Sequence, residues 1–93
     1  MQTFIRRNDE VTFRNDLEAY KLGTDGNHAN VARGSTAIVS HVTVVGYNAR
    51  VTFARRSGVA LDLFYVDIKL NERNAEPTLD MLPYVLAGAS NVG

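Results

Sequence analysis

Residues 36–70 read TAIVSHVTVVGYNARVTFARRSGVALDLFYVDIKL, and this run has the strongest periodic pattern in the chain. Between residues 36 and 45 nearly every side chain favours a β-strand, because β-branched residues predominate. Ile38, Val42 and Val44 share one parity, so they are predicted to face the same side of the strand, with polar residues opposite.

The rest of this run predicts two further strands. Turn residues occupy positions 46–49, and residues 50–54 then alternate between apolar and polar, which indicates a β-hairpin. A second tight connection at 55–58 leads into a long strand over 59–70. Apolar residues change parity within this last strand, so a bulge is predicted near residues 62–64. Three consecutive antiparallel strands form a meander.

The flanking segments are shorter and less regular. Residues 10–14 are predicted to form a strand, and a long loop or a short two-turn helix is expected at 15–35. A helical turn is predicted near 77–82 between two prolines, and a last short strand around 84–86.

The order of these elements resembles the SH3-like small β-barrel superfamily, in particular its KOW-type and similar bacterial or viral members. The matching residues are 8–11 opening the first strand, 31–39 entering the second, and 50–53 in the third. The resemblance implies a mainly β domain, a small antiparallel barrel of about five strands. An open antiparallel sheet with a flanking helix is the main alternative.

Length and composition limit the class of protein. The chain has 93 residues with no cysteine and no tryptophan, which fits one domain, expected over residues 1–86 with a flexible tail at 87–93. Disulfides and thiolate zinc sites are excluded. Residues 1–10 contain no apolar run typical of a signal, and no stretch has the roughly 20 apolar residues of a membrane helix. We therefore expect a cytoplasmic protein without membrane association.

Ten basic and ten acidic residues give zero net charge, but they are unevenly distributed. Residues 26–60 contain four arginines and no acid, whereas residues 61–93 contain five acids and two bases. Either the two segments neutralise each other across the fold, or they form opposed charged faces.

The sequence predicts no catalytic residue, no cofactor and no metal site. Ser40 and His41 are adjacent, and neighbours on a regular strand point to opposite faces, so they are not expected to pair. Residues 25–28 lack the further oxygen ligands of a calcium loop and are typical of a turn. Asp62 and Asp67, five residues apart, are likewise expected on opposite faces. Phosphate-binding glycine loops are absent from the sequence.

Surface recognition is therefore the expected activity. The first hypothesis is a non-catalytic binding module, a protein-interaction or regulatory or inhibitory accessory protein, which binds a protein partner or associates with itself. The alternative is a nucleic-acid-binding module, because KOW-like barrels commonly bind nucleic acid and arginine beside an aromatic ring suits phosphates and bases. The candidate partner-binding residues lie around the 46–58 hairpin region and the entry to the second strand. They are Arg33, Tyr47, Arg50, Arg55 and Arg56.

Overall fold

A computed structural model describes residues 4–22, 28–57, 60–82 and 85–86. Its strands form one sheet in the order β3-β2-β6-β5-β4-β1-β7, and every neighbouring pair is antiparallel. The strands are β1 (Glu10–Phe13), β2 (Leu17–Lys21), β3 (His28–Val31), β4 (Thr36–Val45), β5 (Asn48–Ser57), β6 (Ala60–Lys69) and β7 (Val85–Leu86). A 3-10 turn (Leu79–Met81) precedes β7 and confirms the predicted helical turn.

The three ten-residue strands β4, β5 and β6 form the predicted meander at the centre of the sheet. Val45 pairs with Asn48, so only two residues connect β4 to β5. The first of these, Gly46, has a φ of +63°, a conformation that suits glycine and matches the twist of a hairpin. The backbone N–H of Asn74 donates a hydrogen bond to the carbonyl oxygen of Gly46 at 2.7 Å, so the chain after β6 anchors this turn.

The sheet is strongly curled around its inner face, which contains the core. In a flat sheet β1 and β6 would lie three strand spacings apart, about 14 Å. The ring centroids of Phe13 on β1 and Phe64 on β6 are only 6.1 Å apart. Phe53 on β5 contacts both rings, at 5.6 and 5.4 Å. These three buried rings therefore hold the concave side of the sheet together.

The remaining core residues come from alternate positions of the same strands and from the segments that close the ends. Val11 and Phe13 point inward from β1, and Phe64, Val66, Ile68 and Leu70 point inward from β6 and its end, as the sequence predicts. Besides Leu70, the buried residues outside the strands, among those that the structure describes, are Ile5, Pro77, Thr78, Leu79 and Leu82.

The segment between β1 and β4 differs from the prediction. The expected long loop or short helix at 15–35 is replaced by the antiparallel pair β2 and β3, in which Leu17 pairs with Val31 and Tyr20 with His28. A two-turn helix is marginal by itself, whereas an extended chain here can pair with the free edge of β6. Ala19 is then buried against the core. Residues 23–27, which include most of the predicted turn at 25–28, lie outside the described residues.

The predicted parity of β4 is wrong in its first half, because a bulge changes the register at Ser40. Val39 pairs with Phe53 and His41 with Thr52, which leaves Ser40 as the extra residue. Val39 is therefore fully buried, and Ile38 is 45% exposed rather than inside with the later valines of the strand.

The bulge predicted near residues 62–64 of β6 is also wrong. The pairing of β5 with β6 runs without a shift from Asn48↔Lys69 to Ser57↔Ala60. The change of apolar parity has another cause, since Leu61 and Leu63 lie on the face away from the core. Leu61 is 62% exposed.

The structure confirms a small, mainly β domain, but it does not support a barrel of about five strands. Six strands of four or more residues and the short β7 form an order with two ends, and no ladder among the described residues joins β3 to β7. The last predicted strand is confirmed as β7, paired with β1. The predicted tail at 87–93 lies outside the described residues.

We expect Phe64→Ala to lower the free energy of unfolding by about 3–5 kcal/mol, because it leaves a cavity at the centre of the three rings. Tyr47→Ala is the control, since this ring is 53% exposed, and we expect a change within about 0.5 kcal/mol. Urea unfolding followed by circular dichroism measures both. Equal losses for the two variants would contradict the described core.

Deletion of Ser40 is expected to preserve the fold, because removing the bulged residue restores regular alternation without moving Val39 or Val42 to the other face. Deletion of Thr52 is the matched control. It moves one half of β5 out of phase and sends either Val51 or Phe53 outward, so we expect it to unfold the domain. Amide proton–nitrogen NMR spectra distinguish a dispersed, folded pattern from a collapsed one. An unfolded Ser40 deletion beside a folded Thr52 deletion would show that the register is wrong.

Candidate functional site

The side of the sheet away from the core carries several exposed apolar, aromatic and charged side chains. We call it the outer face. Along β5 and β6, residues alternate between the core and this face, so Arg50 and Asp67 lie on the outer face while Val51 and Val66 are buried. Because the β5–β6 register is continuous, side chains on the outer face form regular rows across the strands.

One of these rows is apolar. Ile38 on β4 pairs with Ala54 on β5, and Ala54 pairs with Leu63 on β6. Leu61 lies two residues before Leu63 on the same face of β6. We call these four residues the apolar strip. Two of its members, Ile38 and Leu61, are among the large apolar side chains that the fold leaves exposed.

Beside the apolar strip, two aromatic rings and a guanidinium group are stacked on one another. Tyr20 on β2 stacks on Tyr65 on β6, with ring centroids 5.5 Å apart and an angle of 26° between the planes. The Arg50 guanidinium carbon lies 4.0 Å from the Tyr65 ring centroid. His28 on β3 meets Tyr20 edge-on at 5.2 Å, and its Nδ1 lies 3.4 Å from a carboxylate oxygen of Glu18. We call Tyr20, Tyr65 and Arg50 the stacked column.

The orientation of the Arg50 side chain is fixed by a carboxylate as well as by the Tyr65 ring. Its Nε donates to Asp67 Oδ1 at 2.9 Å, and its Nη2 donates to Asp67 Oδ2 at 3.4 Å. Arg50 and Asp67 are direct partners in the β5–β6 ladder. The hydrogen bond that Arg50 donates to the Asp67 side chain is the main cause that raises the pKa of Arg50 above its usual value, so the group remains charged. The pair is exposed, and its role is orientation rather than stability.

Arg55 has the opposite orientation and belongs to the core side. Its guanidinium lies 5.5 Å from the Phe64 ring centroid, and Nη2 lies 3.8 Å from Asp62 Oδ2. Nη1 donates to the carbonyl of Asn30 on β3 at 3.4 Å. Arg55 therefore connects β5 to β3, although β6 and β2 lie between these two strands in the sheet. This contact requires the same curl that the three phenylalanine rings show.

The five predicted partner-binding residues do not form one cluster. Arg50 and Arg55 lie on opposite faces, and Arg56 lies six residues from Arg50 along the same face, about 20 Å away at the rise of a strand. Tyr47 is exposed in the β4–β5 turn. Arg33 lies between β3 and β4, where its backbone amide donates to Asp16 Oδ1 at 2.8 Å. The middle arginines 50 and 55 are paired with acids of the last third, so part of the charge division is neutralised locally.

Asp62 and Asp67 lie on opposite faces as predicted, but the prediction for Ser40 and His41 is wrong. Ser40 Oγ and His41 Nδ1 are 2.8 Å apart and share a hydrogen bond. Consecutive side chains point to opposite faces only on a regular strand, and the bulge at Ser40 removes this constraint. A serine–imidazole pair is one part of a nucleophilic site, which also needs an orienting group and donors for a developing oxyanion. The absence of a catalytic residue stays a prediction.

Within the described residues, no three His, Asp or Glu side chains are grouped to hold a metal ion, and no helix is long and apolar enough to cross a membrane. Comparison of the chain with protein families, with curated proteins and with solved structures found no match. The resemblance to SH3-like barrels therefore stays a prediction.

Sequence reasoning missed the stacked column. Tyr20 lies within residues 15–35, where the sequence predicts a loop or a short helix. No local pattern marks the pair, because Tyr20 and Tyr65 become direct partners only once β2 pairs with β6. Aromatic pairs opposite one another are a common source of cross-strand stabilisation.

We expect Arg55→Ala to lower the free energy of unfolding by about 1–2 kcal/mol, through loss of the half-buried ion pair and the contact with the Phe64 ring. Arg55→Lys should restore little of this, because an ammonium group cannot reproduce the planar contact and the fork of donors. Arg56→Ala, at an exposed position, is the control and should change stability by less than about 0.5 kcal/mol. Urea unfolding compares the three, and full recovery by lysine would argue against the planar contact.

Proposed function

We propose that this chain is a non-catalytic binding module that recognises a protein partner through the outer face of β4, β5 and β6. The observation that carries the proposal is the apolar strip of Ile38, Ala54, Leu61 and Leu63, which crosses the three central strands on the side away from the core. The hydrophobic core of this domain lies on the inner face of the sheet, so the residues of the strip do not take part in it.

The surroundings of the strip have the composition of a protein interface. Such interfaces combine an apolar centre with tyrosine and arginine and a polar rim. On this face Tyr65 and Tyr20 lie beside the strip, and Arg50 and Arg56 are on β5 at either end of it. The centre is thus apolar and aromatic, and the charged groups are towards its margins.

Charge also favours a protein over a nucleic acid as the partner. The affinity for nucleic acid grows with the number of phosphates neutralised by basic groups. Arg50 and Arg55 are each paired with an aspartate, and they face opposite sides of the sheet. The arginines of the middle segment therefore do not present one continuous basic surface, which leaves nucleic-acid binding as the second candidate.

A photo-crosslinking amino acid placed at Leu61 tests the proposal in the cells that produce the chain. We expect a discrete crosslinked product from position 61, and loss of that product when Ile38→Asp is added, because a carboxylate at the β4 end of the strip disrupts the apolar contact. The same crosslinker at Glu72, an exposed position outside the sheet, is the matched control. A product at twice the 10.2 kDa mass of the chain would identify the partner as a second copy.

Two results would count against the proposal. One is the absence of a product from position 61, and the other is an equal pattern from positions 61 and 72. Circular dichroism of Ile38→Asp confirms that the variant is folded, and Ile38→Ser replaces it if it is not.

The nucleic-acid alternative has its own test. We expect fluorescence anisotropy with labelled single- and double-stranded oligonucleotides at low salt to show no saturation below high micromolar protein, because the paired arginines offer few groups for phosphate. The double variant Arg33→Ala, Arg56→Ala is the matched comparison. Tight binding that this variant loses would establish the nucleic-acid function instead.

A further inference from the structure

In the part of the chain that the structure describes, a depression lies beside Arg50 at one end of the stacked column. We propose that this end is a socket for one aromatic side chain of the protein partner, a tryptophan or tyrosine that stacks on the free face of the Arg50 guanidinium. The inference rests on the proposed function, because it names the chemistry by which the partner is recognised.

Among the described residues, Tyr65 is the ring that stacks on the Arg50 guanidinium, and half of the Arg50 side chain is exposed. Tyr65 covers the face towards β6 at 4.0 Å. On the opposite side of β5, Arg50 pairs with Thr43 of β4. A depression lies here, and its lining consists of Thr43, Val45, Asn48, Arg50 and Asp67. A planar group that enters the depression would continue the column by one layer.

The lining suits an aromatic side chain. Val45 is 70% exposed and supplies an apolar wall, and the guanidinium supplies a flat cation that attracts the face of an aromatic ring. The carboxylate of Asp67 and the side-chain amide of Asn48 accept hydrogen bonds, as the indole N–H or phenol O–H requires when it is buried. Tryptophan, tyrosine and arginine are also the residues that dominate the binding energy of protein interfaces.

Charge distinguishes a protein side chain from a nucleobase at this position. Among the described lining residues the charges of Arg50 and Asp67 cancel. A nucleotide would bring its phosphate close to the Asp67 carboxylate, whereas an uncharged aromatic side chain meets no opposing charge. The observations therefore favour the aromatic side chain.

The socket is also formed before any ligand binds. Arg50 is held by the ring of Tyr65 on one side and by two hydrogen bonds to Asp67 at its edge. A long side chain normally loses rotamer freedom when a complex forms, and here most of that loss has occurred on folding. Tyr20, stacked on the far side of Tyr65, limits the movement of the column.

Titration of the isotope-labelled protein with N-acetyl-L-tryptophanamide tests the socket. We expect saturable shifts with a dissociation constant on the order of millimolar, an affinity of about 4 kcal/mol that suits a single side chain. The Arg50 Nε–H signal should move upfield, as it lies over the ring, together with the amides of Thr43, Val45 and Asn48. N-acetyl-L-leucinamide, which lacks a ring, should give less than about a tenth of these shifts, since it has no face to stack.

Two variants separate the socket from the general surface. Arg50→Lys keeps the charge and loses the plane, so we expect it to abolish the tryptophanamide shifts while the rest of the spectrum is unchanged. Arg14→Ala, at an exposed position after β1, should leave them intact. Equal shifts with both amides, an absence of saturation, or larger shifts with cytidine monophosphate than with tryptophanamide would each overturn the proposal.

The result is distinguishable from a failure of the proposed function. A crosslinked product at Leu61 together with no response to tryptophanamide would show that the outer face binds a protein by other contacts. A response to tryptophanamide without any crosslinked product would retain the socket chemistry and reject the apolar strip as the partner surface.

Discussion

The contact between the rings of Phe13 and Phe64 is the constraint on which the other features depend. It joins β1 and β6, which would be far apart in a flat sheet, and so it forces the sheet to curl. The curled sheet, with a few residues from outside the strands, encloses the core. A single flat sheet of this size would leave both of its faces exposed to solvent. The curl divides the sheet into a buried inner face and an outer face that lies away from the core. Arg55 reaches the carbonyl of Asn30 and holds the opposite part of the sheet in the same curvature.

The parts of this fold that depend on local pattern were predictable from the sequence, and the parts that depend on pairing were not. The meander followed from alternation and from Gly46, and the inward residues of β1 and of the second half of β6 followed from parity. The pair β2 and β3 was missed because residues 16–22 satisfy a weak helical pattern as well as a strand, and only the available edge of β6 decides between them.

The candidate site shows the same division. The arginines 50 and 55 were identified by composition, but their five-residue spacing already placed them on opposite faces. The sequence predicts neither the stacking of Tyr20 nor the hydrogen bond between Ser40 and His41. The first depends on the register of β2 against β6, and the second depends on a bulge that leaves no mark in the sequence of an apolar strand. The register of a strand pair depends on two segments that are far apart along the chain. Local patterns within one segment therefore do not reveal it.

The short separations along the chain between paired residues of the meander also bear on how the chain assembles. Ser57 pairs with Ala60 across two residues, as Val45 does with Asn48, whereas Tyr20 and Tyr65 meet across 45 positions of the chain. The entropy lost in closing a loop rises with its length, so pairing within the meander costs least, and we expect it to precede the docking of its neighbours. We therefore expect the outer-face rows of β4, β5 and β6 to form first, and the stacked column to be complete only once β2 pairs with the edge of β6.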